Sequence, residues 1–186
     1  MRFTLTPRCG VGNEYVNRLR SHGRRTGPKP GFTHDDVVTA AWEIGIRDFT
    51  LAGVAKRLGV GTPALYRTIA SRDDLLRGCL KRLAEENRFT APEGGWRELL
   101  RHQAEWLCGL VDRHPGLAET FLMVTWAHHY FVRGMKACID ALVDRGFSPD
   151  DAVFAVDFIG DTVLCTHLVI EANRAILPGE DGTVAT

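Results

Sequence analysis

The segment from Thr50 to Leu76, TLAGVAKRLGVGTPALYRTIASRDDLL, constrains the fold of this chain more than any other. It fits two short helices joined by a tight turn. Gly59 lies where that turn requires a positive φ, and Ala55 is small enough for the second helix to cross over it. The apolar side chains expected to lock the two helices together are Val54, Leu58 and Leu65. The pattern predicts a helix-turn-helix whose second helix, from Thr62 to about Thr68, projects outward to read a DNA major groove.

The formal net charge of the chain is zero, but the charges are unevenly distributed. Residues 1–90 contain 16 Lys and Arg against 9 Asp and Glu, whereas residues 91–186 contain 7 against 14. A basic half followed by an acidic half is typical of a polyanion-binding head on a body that avoids the polyanion. The positive excess falls on the half that contains the helix-turn-helix.

Composition argues against several other classes of protein. The five cysteines form no CxxC pair, so neither a zinc ribbon nor a thioredoxin-type site is predicted. Four of them lie in predicted helices beside apolar neighbours, which indicates buried thiols in a reducing cytoplasm. Charges interrupt every long apolar stretch, and the N-terminus has no apolar signal segment, so we expect neither a membrane span nor secretion.

The positions of Gly, Pro and helix-capping residues predict four regions along the chain. Residues 1–30 lack a helical period and end in a basic run, so they form either an arm that contacts the DNA minor groove or phosphates, or a disordered leader. Residues 31–90 are the helix-turn-helix domain, 91–176 a helical ligand-binding and dimerisation domain, and 177–186 a C-terminal tail. The basic run consists of Arg18, Arg20, Arg24, Arg25 and Lys29.

Start and stop signals place helices throughout residues 31–176. Predicted N-caps are Thr33, Thr50, Thr62 (followed by Pro63), Ser71 and Ser148. In the second half we expect helices from Trp96 to His114-Pro115, from Leu117 to Val124, from about His128 to Arg145, and from Ser148 to about Arg174. No strand-like alternation occurs, so the predicted fold is all-α: a three-helix head, joined by a fourth helix to a helical bundle.

The last predicted helix is apolar on nearly every side. Packing on its own domain requires only one apolar stripe, so the remaining apolar surface predicts a partner. A two-fold homodimer through this helix fits, because a two-headed DNA reader needs symmetric half-sites.

With these motifs in view, the chain resembles the TetR family of bacterial transcriptional regulators. The resemblance is specific from Phe32 to Leu83, through FTLAGVAKRLGV and TPALYRTIASRDDLL, and beyond Pro92 only the helical layout is similar. It implies an N-terminal DNA-binding head on a helical body that dimerises and binds a small molecule, which releases the operator. The chain departs from the family in having one strongly apolar terminal helix where the family generally has a dimerising pair.

The resemblance also implies roles for individual residues. Thr62, Pro63 and Ala64 match the base-facing start of the recognition helix, and Tyr66 matches its phosphate-binding tyrosine. Arg67 is expected to reach a base edge or a phosphate, while Thr50 and Arg72 match phosphate contacts. A ligand cavity in the body is expected to be lined by Trp106, Phe121, Trp126, His129, Met135 and Phe158, with Tyr130 and His167 as further candidates.

Other sites have weaker support. Adjacent His128 and His129 point about 100° apart on a helix, as Cys165 and His167 also diverge, so no metal site is predicted. No P-loop, nucleophile elbow or dinucleotide fingerprint occurs, so we predict neither an enzyme nor a cofactor. The leading hypothesis is a cytoplasmic, ligand-responsive repressor; alternatives are a DNA-binding regulator whose body only binds proteins, and, with less support, a helical enzyme.

Overall fold

The computed structural model describes residues 31–176, which form eight α-helices and one 3₁₀ helix without any strand. The prediction of an all-α fold is therefore confirmed. The predicted arm at 1–30 and tail at 177–186 lie outside the described residues. The helices are α1 (His34–Ile44), α2 (Leu51–Arg57), α3 (Thr62–Leu65), α4 (Arg72–Glu86), α5 (Trp96–Arg113), α6 (Leu117–Met123), the 3₁₀ helix (Ala127–Tyr130), α7 (Val132–Val143) and α8 (Pro149–Ile176).

Four of the five predicted caps form as expected. Thr33 and Asp36 make a complete capping box, in which Thr33 Oγ1 accepts from Asp36 N at 3.2 Å and Asp36 Oδ2 accepts from Thr33 N at 2.7 Å. The hydrogen bonds that Thr33 donates to the Asp36 carboxylate, from its backbone N and from its Oγ1, hold the pKa of Asp36 below its usual value. Thr50, Ser71 and Ser148 each accept a hydrogen bond from the backbone N–H three residues later. Each bond satisfies one otherwise unpaired donor at a helix start.

The prediction of a single helix from His128 to Arg145 is wrong, because the structure has two helices in this segment. Its first turn is the 3₁₀ helix, which ends at Tyr130, and α7 begins only at Val132, after Phe131. Phe131 N donates to His128 O at 2.9 Å, the tighter three-residue spacing of a 3₁₀ helix. At this interruption of the helix, the Phe131 ring packs edge-on against Phe121, with ring centroids 5.0 Å apart.

A hydrophobic core runs from the first four helices into the body. It joins Val38 and Leu80 of α1 and α4 to Leu110 of α5 and Leu117 of α6. Helices α1 and α4 approach closely at Gly78, where an added Cβ would lie 2.4 Å from Val38 Cγ2. The predicted domain boundary near residue 90 therefore does not coincide with a break in the core. A second, smaller cluster consists of Leu99, Cys138, Ala141, Leu142, Ala152 and Val156.

The cysteines only partly match the expectation of buried thiols. Cys79 and Cys138 are buried, and burial raises the pKa of each thiol to about 11, so both stay protonated near neutral pH. Cys108 and Cys165 are exposed, because they lie on outward faces of α5 and α8. All four are free thiols, whereas Cys9 lies outside the described residues.

Among the described helices, α8 is long and apolar enough to span a membrane on length and composition alone, with a mean hydropathy of 1.7. In the fold, part of that apolar surface packs against other helices of the chain. One side packs on α5, α6 and α7, burying Ala152, Val156 and Leu164. The opposite side exposes apolar side chains, of which Phe154, Phe158 and Val169 are 69%, 60% and 59% exposed. The helix is therefore half-covered by its own body.

Candidate functional site

The turn between α2 and α3 has the geometry that its sequence predicts. Gly59 adopts φ 69°, a left-handed conformation that a side chain would strain. Val60 N then donates to Ala55 O at 2.9 Å, which closes the turn. Val54 and Leu65 are fully buried at the crossing, and Ala55 is 2% exposed. The apolar seam thus holds α3 at a fixed position on the head.

The start of the recognition helix differs from its predicted form. Gly61, not Thr62, is the N-cap of α3, and no side chain caps this end. Thr62 and Pro63 occupy the first two helical positions, where the proline's missing N–H would have had no partner. The α-helix itself ends at Leu65, and the chain continues to Thr68 through a tighter turn, with Thr68 N bonded to Leu65 O at 2.8 Å. With the cap at Gly61, the Thr62 hydroxyl is not used in capping.

Several predicted DNA-contacting side chains are exposed at this turn. Tyr66 is 57% exposed and follows α3 directly, next to the exposed Arg67. Pro63 is exposed, whereas Thr62 and Ala64 are half-buried. Tyr66 and Arg67 thus lie together at the surface, where both side chains can reach an outside partner.

Thr50 and Arg72 lie at the starts of α2 and α4, and both are exposed. Thr50 Oγ1 accepts from Gly53 N at 3.0 Å, which leaves the hydroxyl hydrogen available to an outside acceptor. The Arg72 guanidinium lies over the Phe49 ring, 4.5 Å from its centroid. Stacking on this buried ring restricts the arginine without neutralising its charge.

The arginines of the head differ in whether their charge is paired. Arg57 forms an ion pair with Glu43, with Nε 2.8 Å from Oε2, a contact that the sequence did not indicate. No ion pair between residues 31 and 176 includes Arg67 or Arg72. The charges of these two guanidinium groups are therefore not neutralised by a carboxylate among the described residues.

The body contains a small cavity between α5, the α6–α7 region and α8. Its volume is about 120 Å³. The polar groups around it are Gln103, His128, Asp157 and Asp161. Gln103 is 8% exposed and donates from Nε2 to Val156 O at 3.3 Å, while Cys138 Sγ donates to its Oε1 at 3.4 Å. The apolar lining consists of Trp106, Leu107, Phe121, Phe131, Met135, Val156, Gly160 and Leu164.

The six predicted ligand-binding residues are not all brought together. Trp106, Phe121 and Met135 line the 120 Å³ cavity, and His129 lines a separate groove beside it. Trp126 lies under the Arg77 guanidinium, 3.8 Å from the ring centroid. Phe158 is on the exposed side of α8, because it is two residues beyond the buried Val156 and so about 200° around the helix.

The further candidates Tyr130 and His167 also lie outside this cavity. Tyr130 lines the neighbouring groove, and His167 Nδ1 is 3.3 Å from Asp112 Oδ1. Asp157 and Asp161 do line the cavity but were missed by sequence reasoning. The available signal was their spacing of four residues within an otherwise apolar helix.

The residues weighed as rival metal ligands lie on different elements. His128 Nε2 is 2.9 Å from Phe121 O, and Cys165 is exposed on α8. Within residues 31–176, no three His, Cys, Asp or Glu side chains are grouped so that they could hold a metal ion.

The head and the body meet at a polar junction. Arg47, between α1 and α2, donates from its backbone N to Pro115 O at 3.2 Å, and its Nη2 lies 2.7 Å from Glu171 Oε2 on α8. Gly116, with φ 84°, lies directly beneath Arg47. Both α8 and the α5–α6 connection thus contact the head directly, so a movement of either would be passed to the head.

Comparisons with known proteins agree with this arrangement. No family model matches the chain. It is 32% identical over 150 residues to the HTH-type transcriptional repressor DrrR1 of Streptomyces coeruleorubidus, covering 76% of this chain and 56% of that protein. It is 28% identical over 129 residues to an HTH-type transcriptional repressor of Mycobacterium tuberculosis, covering 63% and 49%. The chain thus spans about half the length of the curated relatives that it matches.

Solved structures share the fold. ActR of Streptomyces coelicolor, in complex with actinorhodin, superposes with a TM-score of 0.65 at 22% identity, over 78% of this chain and 70% of that one. A variant of TetR from Acinetobacter baumannii AYE, in complex with minocycline, gives 0.61 at 24% identity, over 75% and 81%. Both similarities extend through the head and into the helical body.

Proposed function

We propose that this chain, which has the all-α fold of the TetR family that its sequence resembles, is a DNA-binding, ligand-responsive transcriptional regulator. The observation that carries the proposal is the exposure of Tyr66, Arg67 and Arg72 between the end of α3 and the start of α4, where neither arginine forms an ion pair within residues 31–176. The similar curated proteins are named transcriptional repressors, which agrees with a non-enzymatic chain and favours repression. Such a regulator acts in the cytoplasm, where the DNA is.

Each proposed DNA contact has a role that follows from its chemistry. Thr50, Tyr66 and Arg72 hold the phosphate backbone, since hydroxyl and guanidinium donors suit phosphate oxygens. Thr62, Pro63 and Ala64 present a small surface to the bases, and Arg67 reaches a base edge or a phosphate. With so few long side chains on α3, we expect DNA shape to contribute to the choice of operator.

Replacing Arg67 with alanine tests this docking face. If the arginine holds a phosphate, the slope of log affinity against log salt should flatten by about one unit on every duplex. If it reads a base, sequence preference should change at one position, by roughly 1–3 kcal/mol. The measurement is fluorescence anisotropy with a selected duplex at several salt concentrations. Arg97→Ala, an arginine on α5, is the control; an unchanged slope and preference in Arg67→Ala would rule out this face.

We propose that a small molecule in the 120 Å³ cavity releases the operator. Ligand and DNA would favour different positions of the two heads, so each weakens binding of the other. Support comes from the ligand-bound ActR and TetR structures and from the apolar cavity with its few polar groups. A cavity of this size is close to the ~150 Å³ that accommodates a benzene ring. The partly polar lining of this space favours the sensor over a body that only binds proteins.

We also propose a homodimer formed through α8. Its exposed apolar face includes Phe154 and Phe158, whose rings stack with centroids 5.9 Å apart. Apolar side chains in such number on one helix face are typical of an interface and not of a free surface. The single described terminal helix would then meet its copy across a two-fold axis.

Phe158→Glu is expected to weaken this dimer by at least tenfold, because each copy would bury a carboxylate in an apolar contact. Operator affinity should fall with it, since only a dimer contacts both half-sites. Sedimentation equilibrium measures the dimer constant. Met123→Glu is the matched control, because Met123 is also an exposed apolar residue, at 74%, but belongs to α6 and not to α8. Equal dimer constants for the two variants would contradict the α8 interface.

A further inference from the structure

A second concave site lies beside the proposed effector cavity. It is a groove of about 510 Å³ between the C-terminal half of α4 and the segment from the 3₁₀ helix into α7. Trp106 and Phe131 line both spaces. Its remaining lining is formed by Lys81, Ala84, Glu85, Asn87, Arg88, Phe89, His129, Tyr130, Arg133 and Gly134.

The charge of the groove is opposite to that of the cavity. Lys81, Arg88 and Arg133 contribute three cations against the single carboxylate of Glu85, whereas the ionised groups of the cavity are Asp157 and Asp161. No ion pair among the described residues includes any of the three cations. Their charges are therefore not neutralised by the protein, although the body as a whole is acidic.

The groove also offers aromatic surfaces next to these cations. Phe89, Trp106, Tyr130 and Phe131 line it and are half-buried. The Phe89 and Trp106 rings meet edge-to-face with centroids 5.6 Å apart, which fixes their relative orientation. Fixed aromatic faces suit a flat ring, and guanidinium groups suit a carboxylate through two parallel hydrogen bonds.

We propose that this groove binds a planar aromatic carboxylate, with its ring on the aromatic wall and its carboxylate between Arg88 and Arg133. The volume suits a fused-ring ligand, since small-molecule sites commonly span 300–1,000 Å³. This site is additional to the effector cavity and to the DNA surface. Binding here is measured without DNA, so its failure would leave the proposed regulatory function intact.

The test is isothermal titration calorimetry of the full chain with naphthoate, and with naphthylmethylamine as a probe of similar shape and opposite charge. Naphthoate should bind more tightly than the amine by tenfold or more. In the double variant Arg88→Gln with Arg133→Gln, naphthoate affinity should fall by roughly tenfold or more, because two charged hydrogen-bond donors are lost. The exposed positions of both arginines allow the variant to fold, which its thermal unfolding checks.

Two controls locate the binding. Arg101→Gln removes an arginine from α5 that is paired with Glu98 and lies outside the groove, so it should change naphthoate affinity less than twofold. Asp157→Asn alters the neighbouring cavity and should likewise leave naphthoate binding unchanged. Absence of naphthoate binding, equal binding of the amine, or a double variant that binds naphthoate like the original chain would overturn the proposal.

Discussion

Tyr66→Ala is expected to weaken binding to every duplex by about tenfold to a hundredfold, the loss expected for one hydrogen bond to a charged phosphate. The side chain is 57% exposed and contributes little to the core, so thermal stability should stay nearly unchanged. Because the proposed partner is the DNA backbone, the loss should be similar for the operator and for unrelated duplexes. Anisotropy titrations with both duplexes measure this directly.

Tyr66→Phe separates the hydroxyl from the ring. If the phenolic hydroxyl donates to a phosphate, the phenylalanine variant should lose most of the affinity that alanine loses. If the ring alone packs against the DNA sugars, phenylalanine should bind like the original chain. Wild-type affinity in Tyr66→Ala, on both duplexes, would contradict the role assigned to this residue.

Gly116→Ala should destabilise the protein by about 2–4 kcal/mol, through a clash added to backbone strain. Gly116 has φ 84°, a region that disfavours side chains. An added Cβ would also lie 2.8 Å from Arg47 Cβ and 2.9 Å from its Cα. The second atom is backbone, so a rotamer change cannot relieve the contact, and the junction between head and body must open.

Gly146→Ala is the matched control for this substitution. Gly146 has φ 96°, but an added Cβ would meet no atom within 4 Å. It should therefore cost only the strain of the left-handed backbone, about 1–2 kcal/mol. Urea unfolding of both variants gives the two losses. Equal losses would mean that the approach of Gly116 to Arg47 contributes nothing to stability.

Local signals predicted much of the head. Thr33, Thr50 and Ser71 were identifiable as caps because a cap depends on a hydroxyl and the next three residues. Gly59 was identifiable because its turn requires a positive φ. The misassigned cap at Thr62 shows the limit of this reasoning, since Gly61 supplies the extended backbone of an N-cap without any side-chain signal.

The body was less predictable because its arrangement depends on contacts between distant residues. Arg47 and Glu171 are 124 positions apart, and nothing local in either segment indicates that they pair. The apolar residues of α8 gave no single preferred face, so Phe158 was assigned to the cavity although it faces outward. The helix break at Phe131 likewise follows from packing on Phe121, which only the folded chain reveals.

The most direct measurement of the central claim is selection of duplexes from a random-sequence library by the purified full chain. A DNA reader that docks α3 of each protomer in a major groove should enrich a two-fold symmetric sequence, with half-sites about one or two helical turns apart. The same selection with the Tyr66→Ala variant should yield far less enrichment. If the full chain enriches no sequence, or if the variant enriches the same sequence equally well, the account of this surface is contradicted.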